Sequence, residues 1–186
     1  MASQGWQNLL INSQVDGAAL TASTTRTSLL PAAAKYKLLG GFFDRVGKKI
    51  RIKAAGRISN VVTTPGTLTL DVGFGVAGAV VAANGGAMTL STAAKTNVTW
   101  RLEWDLTCRA IGASANLMHT GAWTSESAGA TTVAGEAKTI LLPPSAPAVG
   151  SNFDSTADQI VDLYATWSLN NANSILCHDF ELISLN

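Results

Sequence analysis

The chain has 186 residues, of which 47% are hydrophobic and only 13% charged, with a formal net charge of +1. That length suits one domain with a sizeable core, while the charge content is about half that of an ordinary soluble protein. A near-neutral balance gives no electrostatic footprint for nucleic acid, and no apolar run approaches the ~18 residues of a membrane span, so neither nucleic acid nor membrane is an expected partner.

The start, MASQGWQNLLINSQ, lacks the basic and then apolar pattern of a secretion signal, which places synthesis in a cytoplasm. Residues 7–11 read as a short strand, Asp16-Gly17 as a turn, and residues 18–24 as a small polar arm. A strand over 25–30 is stopped by Pro31, and 32–39 reads as extended rather than helical. Residues 48–55 alternate Ile50, Ile52 and Ala54 against Lys49, Arg51 and Lys53, and Gly56 predicts a bulge or bend. After the turn at Pro65-Gly66, Leu68, Leu70, Val72 and Phe74 mark another strand. Asn84-Gly85-Gly86 predicts a tight hairpin between 79–83 and 87–90.

The stretch NVTWRLEWDLTCRA, residues 97–110, alternates apolar and polar residues without a break. It predicts one strand with a buried and a wet face, roughly 40 Å long at ~3.3 Å per residue. Its tryptophans require a second layer facing them, since ordering a lone strand costs more than its side chains return. Strands over 117–123, 137–142, 160–169 and 174–185 follow, separated by small-residue, proline-rich and asparagine-rich connections. The sum is an all-β chain, an antiparallel β-sandwich of the jelly-roll type with eight to ten strands. Residues 1–24 form an N-terminal arm with a first strand, and 25–186 the single jelly-roll domain.

No residue set points to catalysis, to a cofactor or to a metal. Gly73, Gly75 and Gly78 spell a G-x-G-x-x-G run, but the following Asn-Gly-Gly leaves no room for the helix that a dinucleotide site needs. Glu103 and Asp105 share one strand face at roughly 6–7 Å, near the separation of glycosidase carboxylates, yet Arg101 and Arg109 share that face and predict ordinary ion pairing. His178 falls in phase with Leu176, Phe180 and Leu182 and reads as a core imidazole, whereas His119 is a lone residue near a strand start. Cys108 lies on an apolar phase and Cys177 on a mixed one; both read as reduced. Trp6, Trp123 and Tyr164 belong to no clear core phase. With Leu9 and Leu10 of the first strand, they are the candidate interface residues.

Three stretches carry a resemblance: VGKKIRIKAAGRISNVVTTPGTLTLDVGFG (46–75), AKTNVTWRLEWDLTCRAIG (94–112) and GSNFDST followed by VDLYATWSL (150–169). Together they resemble virion structural proteins of tailed bacteriophages and of phage-like sequences of uncultured origin, over most of residues 25–186. The resemblance implies a jelly-roll building block of the particle, a capsid decoration or minor capsid protein, often trimeric. Its implied partners are itself and the major capsid or other virion proteins, and its implied location is the virion. The family supplies no active-site residues. Residues 1–24 fall outside the resemblance, where a docking arm would sit. The alternative is a tail-associated jelly roll that binds receptor or glycan through an exposed aromatic platform, and a β-sandwich hydrolase is a third.

Overall fold

In the computed structural model, which describes residues 7–129 and 135–185, two antiparallel sheets face each other as a sandwich. The described residues form thirteen strands: β1 (Asn8–Asn12), β2 (Leu20–Thr21), β3 (Thr27–Ser28), β4 (Tyr36–Leu38), β5 (Lys49–Asn60), β6 (Thr67–Phe74) and β7 (Val80–Thr89) come first. β8 (Lys95–Ala110), β9 (Asn116–Ser125), β10 (Lys138–Leu142), β11 (Ala148–Val149), β12 (Gln159–Trp167) and β13 (Ser174–Ser184) follow. The larger sheet runs β1-β13-β5-β8-β9-β10, with β2 on β13 and β11 on β9. The smaller runs β3-β12-β6-β7, with β4 also on β12.

The chain crosses between layers at β2 to β3, β4 to β5, β5 to β6, β7 to β8, β11 to β12 and β12 to β13. Four strands of each sheet thus interleave as in a jelly roll, and β9, β10 and β11 widen the larger sheet beyond β8. The strand count exceeds eight to ten because the N-terminal and proline-rich connections contribute pairs of two and three residues.

β8 spans sixteen residues and is the longest strand. Trp100, Leu102, Trp104, Leu106 and Cys108 enter the core from it, while Arg101, Glu103 and Asp105 stay outside. Trp167, Leu163 and Val161 of β12 and Leu68, Leu70 and Val72 of β6 belong to the same buried cluster. At one end of the sandwich Phe43, Phe74 and Phe153 close the core edge-to-face and stacked, with ring centroids 5.0–6.2 Å apart.

Several local expectations change. Asn84-Gly85-Gly86 does not turn the chain: β7 runs straight through it. The register against β6 shifts there instead, and Gly85 lies so close to Leu70 that an added Cβ would come within 2.9 Å of its carbonyl oxygen. Gly56 does not bulge its own strand either. The bulge is in β13, between Cys177 and Asp179, and Gly56 accommodates it: a Cβ there would sit 1.9 Å from the Leu176 carbonyl oxygen. The extra residue in β13 reverses the expected phase. His178 points out, 2.8 Å from Asp16, and Cys177 points in, where burial pushes its thiol up to about 12.

His119 is the core histidine. Its Nδ1 accepts the Trp104 indole N–H at 3.3 Å, and burial holds its pKa below the ordinary value. A depressed folded-state pKa contributes stability above the unfolded value of about 6.5. That contribution is lost as pH falls from there through the folded value. Urea midpoints measured from pH 7.5 to 5 should therefore fall in the parent chain, and His119→Leu should flatten that fall.

Candidate interaction face

The outer face of the larger sheet is where polar chemistry gathers. Cross-strand pairing sets its side chains in rows. One row runs Asp179, Ala55, Arg101, Thr124 and Thr139 from β13 to β10. The next runs Glu181, Lys53, Glu103, Ala122 and Leu141. A third runs Ile183, Arg51, Asp105 and Thr120. Period-two alternation puts them all on one side.

Arg51 organises the third row. Its Nε and Nη2 donate to Asp105 Oδ1 and Oδ2 at 2.6 and 2.9 Å, and Nη1 lies 3.1 Å from Glu103 Oε1. Lys49 adds a contact to Asp105 at 3.6 Å. Partial burial alone would push the Asp105 carboxyl up, but the Arg51 hydrogen bonds and charge, with Lys49, outweigh it and hold it below the usual carboxylate range. The two carboxylates that glycosidase spacing singles out are thus clamped by one guanidinium, and Asp105 is the opposite of a raised general acid. The cations that pair them come from β5, across the strand, rather than from Arg101 and Arg109.

Beside this cluster lies a shallow concavity of about 530 Å³ floored by Ala55 and Ala122 and rimmed by Lys53, Arg101, Glu103 and Asp179. Lys53, Arg101, Asp179 and Glu181 make no side-chain hydrogen bond or ion pair with another described residue. The margins of the face are apolar. Leu9, 52% exposed, sits opposite Ile183 at one side; Leu141, 65% exposed, and Val149 lie at the other. The face thus combines a small-residue floor, charges that pair with no other described residue, and exposed apolar side chains at its margins.

The interface residues singled out from sequence do not all meet here. Leu9 is exposed on this face, while Leu10 is half-buried against the core. Trp123 is wholly buried, because β9 turns it inward with Leu117 and His119; its indole nitrogen has no hydrogen-bond partner among the described residues. It is a core residue and offers a partner no surface. Tyr164, 5% exposed, is also corrected. It does point out of the smaller sheet, but the Arg26 guanidinium stacks 3.7 Å from its ring centroid and Gly78 presses on its edge. Trp6 lies outside the described residues. The exposed aromatic platform that glycan binding calls for is therefore not supplied by Trp123 or Tyr164.

Under that same tyrosine is a polar cluster with no period-two signal. Arg26 Nε donates to Asp71 Oδ1 and Oδ2 at 3.0 and 2.9 Å, and its Nη1 donates to the Gly78 carbonyl at 3.0 Å. Ser28 donates to Asp162, which Lys35 also approaches at 2.8 Å. Burial, with the Asp162 carboxylate, pushes the Tyr164 hydroxyl up to about 12. The cluster pins the turn after β6, where Gly75, Ala77 and Gly78 all take positive φ. The G-x-G-x-x-G run thus ends in a three-residue 3₁₀ turn packed on tyrosine, with no helix to receive a phosphate.

Among the described residues no three His, Cys, Asp or Glu side chains converge as metal ligands, and no helix is long and apolar enough to cross a membrane. Comparison with protein-family models and with curated protein sequences finds no match to this chain.

Proposed function

We propose that this chain is a non-enzymatic structural protein of a bacteriophage particle, a capsid decoration or minor capsid subunit carried on the shell as a homo-oligomer. The observation that carries the proposal is the outer face of the larger sheet, with four charges that pair with no other described residue and exposed leucines at both margins. The resemblance of residues 46–75, 94–112 and 150–169 to phage virion proteins supports it, as does the jelly-roll order of the strands. Low overall charge fits a chain whose surface is covered by neighbours. A modest interface suffices when each oligomer is held at several points, because linked contacts raise the effective concentration.

The test is the copy number of this chain on purified particles, measured by quantitative mass spectrometry against the major capsid protein. Hundreds of copies are expected. A handful, confined to tail or portal, overturns the proposal. In a rebinding assay, Arg101→Glu with Lys53→Glu should weaken attachment by at least about tenfold, because reversed charges meet like charges on the partner.

A further inference from the structure

The outer face of the larger sheet orders its charges in columns as well as rows. On β13 the outward charges are acids, Asp179 and Glu181. On the adjoining β5 they are all cations, Lys49, Arg51, Lys53 and Arg57. The register sets Glu181 directly opposite Lys53 and Asp179 opposite Ala55, and Arg101 of β8 continues the row of Ala55. Arg51 closes on its cross-strand neighbour Asp105 at 2.6 Å. Lys53 and Glu181 are neighbours across the ladder in the same way, yet neither pairs with another described residue.

An acidic column beside a basic one is complementary to its own image. A two-fold axis parallel to the strands, midway between β13 and β5, lays the β13 column of each copy over the β5 column of the other. Glu181 then meets Lys53 of the second copy, and Lys53 meets its Glu181, so the four groups alternate in sign around a square. Asp179 comes to lie over Ala55 of the second copy, within the concavity of about 530 Å³ and next to Arg101 on its rim. The other rows set no like charges face to face. Ile183 meets Arg51 and Leu176 meets Arg57, while Glu103, already held by Arg51, meets Asn12. Sheets packed face to face stand ~10 Å apart, a gap that a lysine and a glutamate span end to end.

We infer that two copies of this chain pair through the outer faces of their larger sheets, about a two-fold axis between β13 and β5, with Glu181 on Lys53 and Asp179 beside Arg101. An isologous contact demands a surface complementary to itself, and this face meets that demand in sign. The inference rests on the self-association proposed above and specifies its geometry: chains associate in pairs, in place of the trimer that the resemblance implies. A single exposed ion pair adds little, whereas an array of them fixes partner and register. The strands around the axis offer on the order of 500 Å² per copy, at the low end of specific interfaces, so pairing is concentration-dependent. The weaker attachment expected of Arg101→Glu with Lys53→Glu then follows from loss of the dimer, because a pair is held at twice as many points as a single chain.

Charge exchange tests the pairing. Lys53→Glu and Glu181→Lys are surface changes and should leave thermal unfolding nearly unchanged. Each sets like charges together twice in the pair, so each should weaken self-association by at least about tenfold in sedimentation equilibrium. Mixed in equal amounts, the two variants should form a heterodimer at least as tightly as the parent forms its homodimer, since each offers the sign that the other needs at both contacts. The doubly exchanged chain, Lys53→Glu with Glu181→Lys, should pair with itself as the parent does. A parent that is monomeric at concentrations that saturate a micromolar contact, or that is trimeric, overturns the inference. So does a single variant that self-associates like the parent, a mixture that forms no heterodimer, or a doubly exchanged chain that stays monomeric. Loss of particle attachment in Arg101→Glu with Lys53→Glu, with the oligomer unchanged, also overturns it and leaves this face against the shell. None of these results bears on copy number per particle, so the two proposals fail separately.

Discussion

Replacing Trp100 with alanine is expected to lower the unfolding free energy by about 3–5 kcal/mol and the Tm by roughly 6–20 °C. Trp100 is wholly buried in the central strand β8. Its indole N–H lies 3.2 Å from the Arg57 carbonyl and 3.1 Å from that of Leu176, so it ties β8 to β5 and to the bulged segment of β13 at once. Truncation removes the packing of the ring and leaves both carbonyls short of a donor. Trp100→Phe keeps most of the volume and should cost about 1–2 kcal/mol through the carbonyls alone. Chemical denaturation with tryptophan fluorescence and calorimetry separates the two. A loss below 1 kcal/mol for the alanine variant, on the scale of a surface substitution, would mean that β8 is not the centre of the core.

Arg26→Met is expected to cost about 3 kcal/mol or more, because it leaves Asp71, 3% exposed, without its guanidinium. The loss is that of a buried charge deprived of a partner, not the net worth of the pair. Adding Asp71→Leu to Arg26→Met should therefore restore much of the stability, and a double-mutant cycle in urea measures the difference. If the double variant is as unstable as the sum of its parts, Arg26 acts mainly through Tyr164 and Gly78. Surface pairs behave otherwise. Lys37 and Asp158, 2.7 Å apart, are both about half exposed, so their contact adds little to stability.

The strands that carry the fold were legible because alternation is a local property. β5, β6, β8, β9 and β12 each show period-two hydrophobicity, and the structure places them within a few residues of the expected bounds. What went astray did so at single residues. One extra residue in β13 exchanged the roles expected of Cys177 and His178, since a one-residue slip moves every later side chain to the other face. The glycines at 85 and 86 carry the same signature as a hairpin turn, and only the neighbouring β6 made them a register shift in a continuous strand. Trp123 and Tyr164 fall in no clear core phase of the sequence. Burial came from β9 turning one inward and from Arg26, more than a hundred residues away, covering the other.

The candidate face was visible only in fragments. Lys49, Arg51 and Lys53 stand out as one wet edge, and Glu103 and Asp105 as another. That Arg51 clamps both carboxylates, while Lys53 and Arg101 pair with no other described residue around an alanine floor, depends on the register of β5 against β8 and of β8 against β9.

From the linear chain alone come the all-β character, the two-faced strands and the central place of residues 97–110, because each depends only on which residue follows which. Which strands became neighbours and which charged side chains gathered on one face were decided by tertiary structure. Those properties depend on groups tens of residues apart meeting across a sheet, and on bulges whose effect is invisible until the opposing strand is in place.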